Sequence, residues 1–337
     1  MEPTILLLGA VILLTLVFDF INGFHDAANA IATVVSTRVM RPTTAVIYGG
    51  VLNFIGALLG TEVAATIGKG LVDANVISLQ TVLCTVIAAI VWNLITWYKG
   101  LPTSSSHAII GSLMGATFAS TMSGHSIIWP AVYKKVLIPM VASPLMGLFI
   151  GFILMTILTW IVYRMNPGKI NRIFGKLQIL SAGFMALNHG RNDAQKSMGI
   201  IALALVLAFP EKHFTVPLWV ILTCAIAMGL GTMMGGWRII RTLGSKMIKL
   251  QPVHGFAAET TASIIIAGAS HWGIPVSTTQ VISSSILGVG ATRRFSAVRW
   301  GIVGNILWAW VLTIPLTFAF AATFMLIGKF LFPEATP

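Results

Sequence analysis

The chain has 337 residues, of which 56% are hydrophobic and only 9% charged, and its mean hydropathy is +0.90. Soluble domains carry about 25% charged residues, so this chain cannot cover a water-facing surface, and most of it must face lipid. The net charge of +12 would suit a nucleic-acid partner. Its cations, however, stand between apolar stretches (Arg38 and Arg41, Lys134 and Lys135, and the clusters in 164–176, 238–249 and 293–299), where they read as anchors at a bilayer surface rather than as nucleic-acid contacts.

A membrane-spanning helix needs about 20 apolar residues. Taken in chain order, the pattern predicts helices over 5–21, 43–67, 77–98, 136–163, 198–209, 216–236, 256–271 and 300–331. Met1-Glu2-Pro3 lacks the basic start of a signal peptide, so the run from Ile5 reads as a retained span. Between these runs, 22–38, 101–120, 182–197 and 274–290 put polar residues at membrane depth beside Gly or Pro. Unpaired backbone in lipid is costly, so such interruptions belong where protein lines a polar cavity, and they point to a site. The most hydrophilic stretch, Arg164 to Lys176, holds a basic connecting loop at 166–176 between an N-terminal half, 1–165, and a C-terminal half, 177–337. Cys84 and Cys224 sit in apolar runs and imply no disulfide framework.

The two halves repeat one another. Phe18 to Asn29 resembles Phe184 to Lys196, with Asp26 matching Asp193; Gly100-Leu-Pro-Thr-Ser-Ser-Ser-His107 matches Gly273-Ile-Pro-Val-Ser-Thr-Thr-Gln280. Two matches in the same order argue for duplication. Paired repeats around a central site of broken helices are a recurrent transporter plan, and the fold class expected is an all-α polytopic membrane protein of two inverted-topology repeats with broken helices or re-entrant hairpins at the midplane.

Each Pro-led motif carries three hydroxyls, Ser104, Ser105 and Ser106 or Ser277, Thr278 and Thr279, just before an apolar run. A helix starting there presents free N–H groups and the positive end of its dipole, an anion cradle extended by hydroxyl donors. The plainer alternative is that these hydroxyls only cap helices. Asp26 and Asp193 lie at membrane depth, where an ionisable group is functional by default. A carboxylate beside an anion needs a proton, a metal ion or a lysine, so both acids are candidate metal and coupling-cation ligands. Asn22, Asn29, Asn188 and Asn192 add amide oxygens suited to hard cations. His25 and His189 read as hydrogen-bonded packing residues, with proton shuttling as the other role open to them. Glu259, in an apolar helix among hydroxyls, suits proton transfer or pairing with a cation, and Asp19 suits a structural partnership.

On these motifs, from Gly23 to Ala30, Asn188 to Lys196, Leu101 to His107 and Ile274 to Gln280, the chain resembles the inorganic phosphate transporter (PiT) family along nearly its whole length. The resemblance implies phosphate held between the hydroxyl-rich tips by Ser104–Ser106, Ser277, Thr278, Thr279 and Gln280, with Asn29 and the acids near substrate and coupling ions. It implies a homodimer in the bacterial inner membrane and no cofactor. Sodium-coupled members read Asn-Asp-x-x-Asn in the second half, whereas this chain reads Asn192-Asp-Ala-Gln-Lys196. The lysine is expected to stand in for a sodium ion, as in the bacterial low-affinity, proton-coupled branch, which carries phosphate as a neutral complex with a divalent metal. The partners expected are therefore phosphate, protons, a divalent metal or sodium ions, and the bilayer, with no nucleic acid.

Two other readings of the same fold compete: a permease for sulfate or another tetrahedral oxyanion, and a sodium-coupled phosphate symporter. Phosphate keeps an O–H that needs an acceptor, which Asp26 and Asp193 supply and sulfate does not need. An intramembrane protease using the two acids as a dyad would not require duplicated hydroxyl clusters, and the Gly-x-Gly-Asp pattern of presenilin-type enzymes is absent. The chain is therefore expected not to be an enzyme.

Overall fold

The computed structural model describes residues 2–209, 211, 213–292, 296 and 298–331; of the basic cluster at 293–299, residues 293–295 and 297 lie outside the described residues. In chain order the helices are α1 (Glu2–His25), α2 (Ala27–Ser36), α3 (Pro42–Ala57), α4 (Glu62–Lys69), α5 (Leu79–Lys99), α6 (Ser105–Thr121) and α7 (Trp129–Val132). There follow α8 (Ile138–Val162), α9 (Pro167–Ala208), α10 (Leu218–Met234), α11 (Trp237–Arg241), α12 (Pro252–His271), α13 (Thr278–Ala291) and α14 (Trp300–Leu331). Wide π turns at Tyr133–Leu137 and Thr242–Lys246 continue α7 and α11. No strand occurs among the described residues beyond an isolated bridge between Val72 and Ile127.

Local sequence sets the ends of these helices. Proline occupies the first turn of α3, α9 and α12, where its missing N–H is harmless. Ser78 caps α5 with Thr81 in a reciprocal box, and left-handed Gly100 stops that helix.

The chain is an all-helical polytopic membrane protein. Thr4–Ser36, Leu79–Lys99, Trp129–Val162 and Trp300–Leu331 are each long and apolar enough to cross a bilayer. Two further pairs reach that length only when taken together: α3 with α4, bent by 72°, and α10 with the segment Trp237–Lys246, bent by 57°. The expected span 43–67 is therefore a bent pair that breaks before Thr61. Large apolar side chains such as Phe149, Ile153, Trp160, Trp308 and Val311 point outward from α8 and α14, as lipid-facing residues do.

Two expectations about the middle of the chain are corrected. The segment 182–197 is not interrupted: it lies inside α9, one helix of 42 residues. Its polar side chains find partners on neighbouring helices, so the backbone has no need to break. The connection expected at 166–176 shrinks to a turn ending at Asn166, whose side chain accepts from Gly168 N at 2.8 Å and starts α9.

Helix α9 runs through the centre, packed on α1, α2, α3, α4, α10 and α12, while α6 packs on α5 and α14 and α13 on α8 and α12. Glycines bring the central backbones together: a Cβ on Gly56 of α3 would lie 2.0 Å from Leu187 O of α9, and one on Gly190 of α9 2.1 Å from Asn53 O of α3.

Candidate oxyanion site

The two Pro-led tips fold alike. Gly100 (φ 66°) and Gly273 (φ 64°) each take the left-handed turn that only glycine adopts freely. Pro102 and Pro275 follow, and Ser104 and Ser277 then cap α6 and α13 from extended backbone, accepting from His107 N at 3.1 Å and Gln280 N at 3.2 Å. A threonine from the opposite half of the chain holds each tip at its glycine. Thr66 of α4 donates to Gly273 O at 2.7 Å, and Thr242, after α11, donates to Gly100 O at 2.9 Å. The tips meet where Ser106 Oγ donates to Val276 O at 3.1 Å.

The acids sit under this junction. Asp26, at the one-residue break between α1 and α2, is 2% exposed, and Asp193, one face of α9 away, is 1% exposed. Each receives the first hydroxyl beyond the cap of the tip in its own half. Ser105 Oγ donates to Asp26 Oδ2 at 3.4 Å, and Thr278 Oγ1 to Asp193 Oδ2 at 3.3 Å. Asn29 ties the halves together, donating to Thr278 Oγ1 at 3.2 Å and Thr279 Oγ1 at 2.9 Å. Lys196, fully buried, places Nζ 2.6 Å from Asp193 Oδ1. His25 bridges Asp26 Oδ1 (2.6 Å) and Thr96 Oγ1 (3.0 Å).

Asp26, His189 and Asp193 offer ligand atoms that all lie within 4.8 Å of one another. His189 Nε2 is 3.6 Å from Asp193 Oδ2 and has no hydrogen-bond partner, while its Nδ1 engages Asn53 Oδ1 at 2.9 Å. Two carboxylates and one imidazole, all buried and within 4.8 Å of one another, are a donor set that could hold a divalent cation.

Of the residues singled out from sequence, Asp26, Asn29, Asp193, Lys196, Ser105, Ser106, Thr278 and Thr279 come together. The hydroxyls of Ser104 and Ser277 cap their helices by accepting from His107 N and Gln280 N, whereas those of Ser105 and Thr278 donate to the acids. Gln280 is buried, finds no partner for its side-chain oxygen, and lines a lateral apolar cleft with Pro144, Leu148 and Trp310. Asn22 is fully buried without a side-chain partner. Asn188 turns away, because α9 stays helical and its amide bonds back to Phe184 O at 2.9 Å. Glu259 lies in a separate cluster, taking hydrogen bonds from Thr33, from Ser181 and, at 3.3 Å, from Gln178.

Sequence reasoning missed Asn93 of α5, which donates to Ser105 Oγ at 3.2 Å, and Thr96, the second partner of His25. A lone amide in the apolar run around Trp92 was the available signal. His25, read as a hydrogen-bonded packing residue beside the acid, is buried and hydrogen-bonded to Asp26 and Thr96.

Buried donors, paired acids and a buried lysine come together at the meeting point of two half-chains, and the family whose model the chain matches is one of membrane transporters. Residues 22–321 match the Phosphate transporter family, and the chain belongs to that family. It is 48% identical over 311 residues to a "Probable low-affinity inorganic phosphate transporter" of Rhizobium meliloti (strain 1021), covering 92% of each chain. To a protein of the same name from Bacillus subtilis (strain 168) it is 45% identical over 335 residues, covering 98% of this chain and 100% of the relative. A solved structure titled "The sodium-dependent phosphate transporter" has the same fold, with a TM-score of 0.89 at 24% identity over 96% of this chain and 99% of that one.

Proposed function

We propose that this chain carries inorganic phosphate across the bacterial cytoplasmic membrane, as a complex with a divalent metal and together with a proton, by alternating access between two inverted halves that assemble further as a homodimer. The observation that carries this reading is the mirrored pair of bonds, Ser105 to Asp26 and Thr278 to Asp193, at a junction crossed by Asn29. An entering phosphate takes over the hydroxyls and the free helix N–H groups as donors. The metal it brings takes Asp26, Asp193 and His189.

Charge supports the same stoichiometry. Counting Asp26, Asp193 and Lys196 alone, the charge is one negative; a phosphate dianion makes it three, a divalent metal reduces it to one, and one proton neutralises it. A near-neutral loaded site can move through a low-dielectric interior, whereas a charged one meets a steep desolvation barrier. Lys196 already occupies Asp193, which favours proton over sodium coupling. The acids can accept the phosphate O–H, which favours phosphate over sulfate, because a site that leaves such a group unpaired discriminates strongly.

The test is uptake of labelled phosphate by purified protein in liposomes, with sodium and proton gradients imposed separately and unlabelled sulfate as competitor. Uptake driven by the proton gradient without sodium, abolished by a protonophore and indifferent to sulfate, is expected. Strict dependence on sodium would overturn the coupling assignment.

The two threonine contacts, Thr66 to Gly273 and Thr242 to Gly100, act in this scheme as closures toward opposite faces. Thr242→Val removes the bond to Gly100 and should loosen that face alone. A reporter cysteine at Thr103, fully buried in the closed tip, should then react faster with a membrane-impermeant thiol reagent added from one side. Unchanged labelling would remove Thr242 from the closure.

A further inference from the structure

An open cleft of about 520 Å³ lies outside the central site, lined by Glu62, Thr66, Lys69, Lys135, His271 and Gly273. Its floor is the closure itself: Thr66 donates to Gly273 O, and Lys135 Nζ donates to Thr66 Oγ1 at 3.1 Å. From Gly273 the chain runs through Pro275 and Val276, which touches Ser106, to the cap Ser277. The cleft therefore stands directly over the stem of the second tip. Lys69 is exposed at its rim, with Nζ 5.4 Å from the Phe214 ring centroid. The one acid, Glu62, has a cationic neighbour of its own, Arg191 at 3.8 Å, on the helix that also carries Lys196. The surroundings thus hold Lys69, Lys135 and Arg191 against a single carboxylate.

We propose that this cleft is an entry subsite for the oxyanion, distinct from the buried cradle: Lys69 and Lys135 collect phosphate from bulk water at one membrane face and hold it above the closed Thr66–Gly273 contact. The inference rests on the phosphate-transport reading above. A concave site with an excess of one sign of charge concentrates its counter-ion and raises the association rate, an effect that salt suppresses. The arrangement also links capture to opening. Thr66 accepts from Lys135, so an anion that draws Lys135 away leaves the hydroxyl on Gly273 with one contact fewer. A flexible lysine stem suits this role, because a lysine gives up one partner for another more readily than the rigid fork of an arginine.

The test measures initial rates of labelled phosphate transport in proteoliposomes, from each face, across phosphate concentration and ionic strength. The proteins compared are the wild type, Lys69→Gln with Lys135→Gln, and the charge-keeping pair Lys69→Arg with Lys135→Arg. The glutamine pair should raise KM about five- to twenty-fold from one face only and flatten the salt dependence of the low-concentration rate, as expected for lost steering. The arginine pair should keep the wild-type KM and salt slope. Glutamine variants with wild-type KM and salt dependence, or with a lower maximal rate at unchanged KM, overturn the subsite while leaving transport intact. A wild type that moves no phosphate overturns the transport reading and this inference with it.

Discussion

Lys196→Asn is expected to abolish phosphate uptake in sodium-free buffer and to restore part of it when sodium is added. Lys196 is fully buried, and its Nζ pairs with Asp193 at 2.6 Å. Removing one member of a buried ion pair costs about 3–5 kcal/mol, because the other charge is left uncompensated. Taken on the transport-competent state, at about 1.4 kcal/mol per factor of ten, that cost corresponds to about a hundredfold loss of transport or more. The asparagine leaves room beside Asp193 and supplies an amide oxygen, so a small hard cation can replace the ammonium. The counterpart position in the first half is already an asparagine, Asn29, three residues after its acid as Lys196 is after Asp193. Initial rates at fixed pH with sodium varied read the outcome directly. Wild-type uptake by Lys196→Asn without sodium would remove the lysine from the coupling mechanism.

The second large effect separates cradle hydroxyls from cap hydroxyls. Ser105→Ala combined with Thr278→Val should raise KM for phosphate about a hundredfold, since each deletes a charge-assisted donor worth about 1.5–3 kcal/mol when its partner is ionised. Ser104→Ala combined with Ser277→Ala removes the two caps, each worth about 1 kcal/mol of helix stability. That pair should lower the melting temperature in detergent and leave KM within a few-fold of wild type. KM measurements beside thermal melts decide the matter. Equal KM values for the two pairs would mean that the triplets act as a unit or not at all.

Much of this site was legible because duplication prints the same chemistry twice. The Pro-led triplets and the Asp26–Asp193 match mark the tips and the acids in the sequence, and Lys196 stands out against the Asn-Asp-x-x-Asn of the sodium-coupled members that the chain resembles. Periodicity could not show which hydroxyl of each triplet caps its helix and which meets an acid, because both roles use the same residue types at the same place. Only the backbone geometry at Ser104 and Ser277 distinguishes the two. Likewise the polar run at 182–197 looked like a break, since sequence shows the cost of polar groups in lipid but not the neighbours that relieve it. Asn192 illustrates this: its amide reaches Ser270 of α12 at 2.9 Å, a partner 78 residues away. The threonine contacts at the two glycines were invisible for the same reason, since Thr66 and Thr242 find Gly273 and Gly100 only after the bent pairs fold back.

The measurement closest to the central claim is a structure determined with phosphate and manganese, whose anomalous signal locates the metal independently of the anion. The expected result is one tetrahedral anion bounded by Ser105, Ser106, Thr278 and Thr279, with manganese against Asp26, Asp193 and His189. An anion bound away from both tips, or a metal that ignores the two carboxylates, would contradict it.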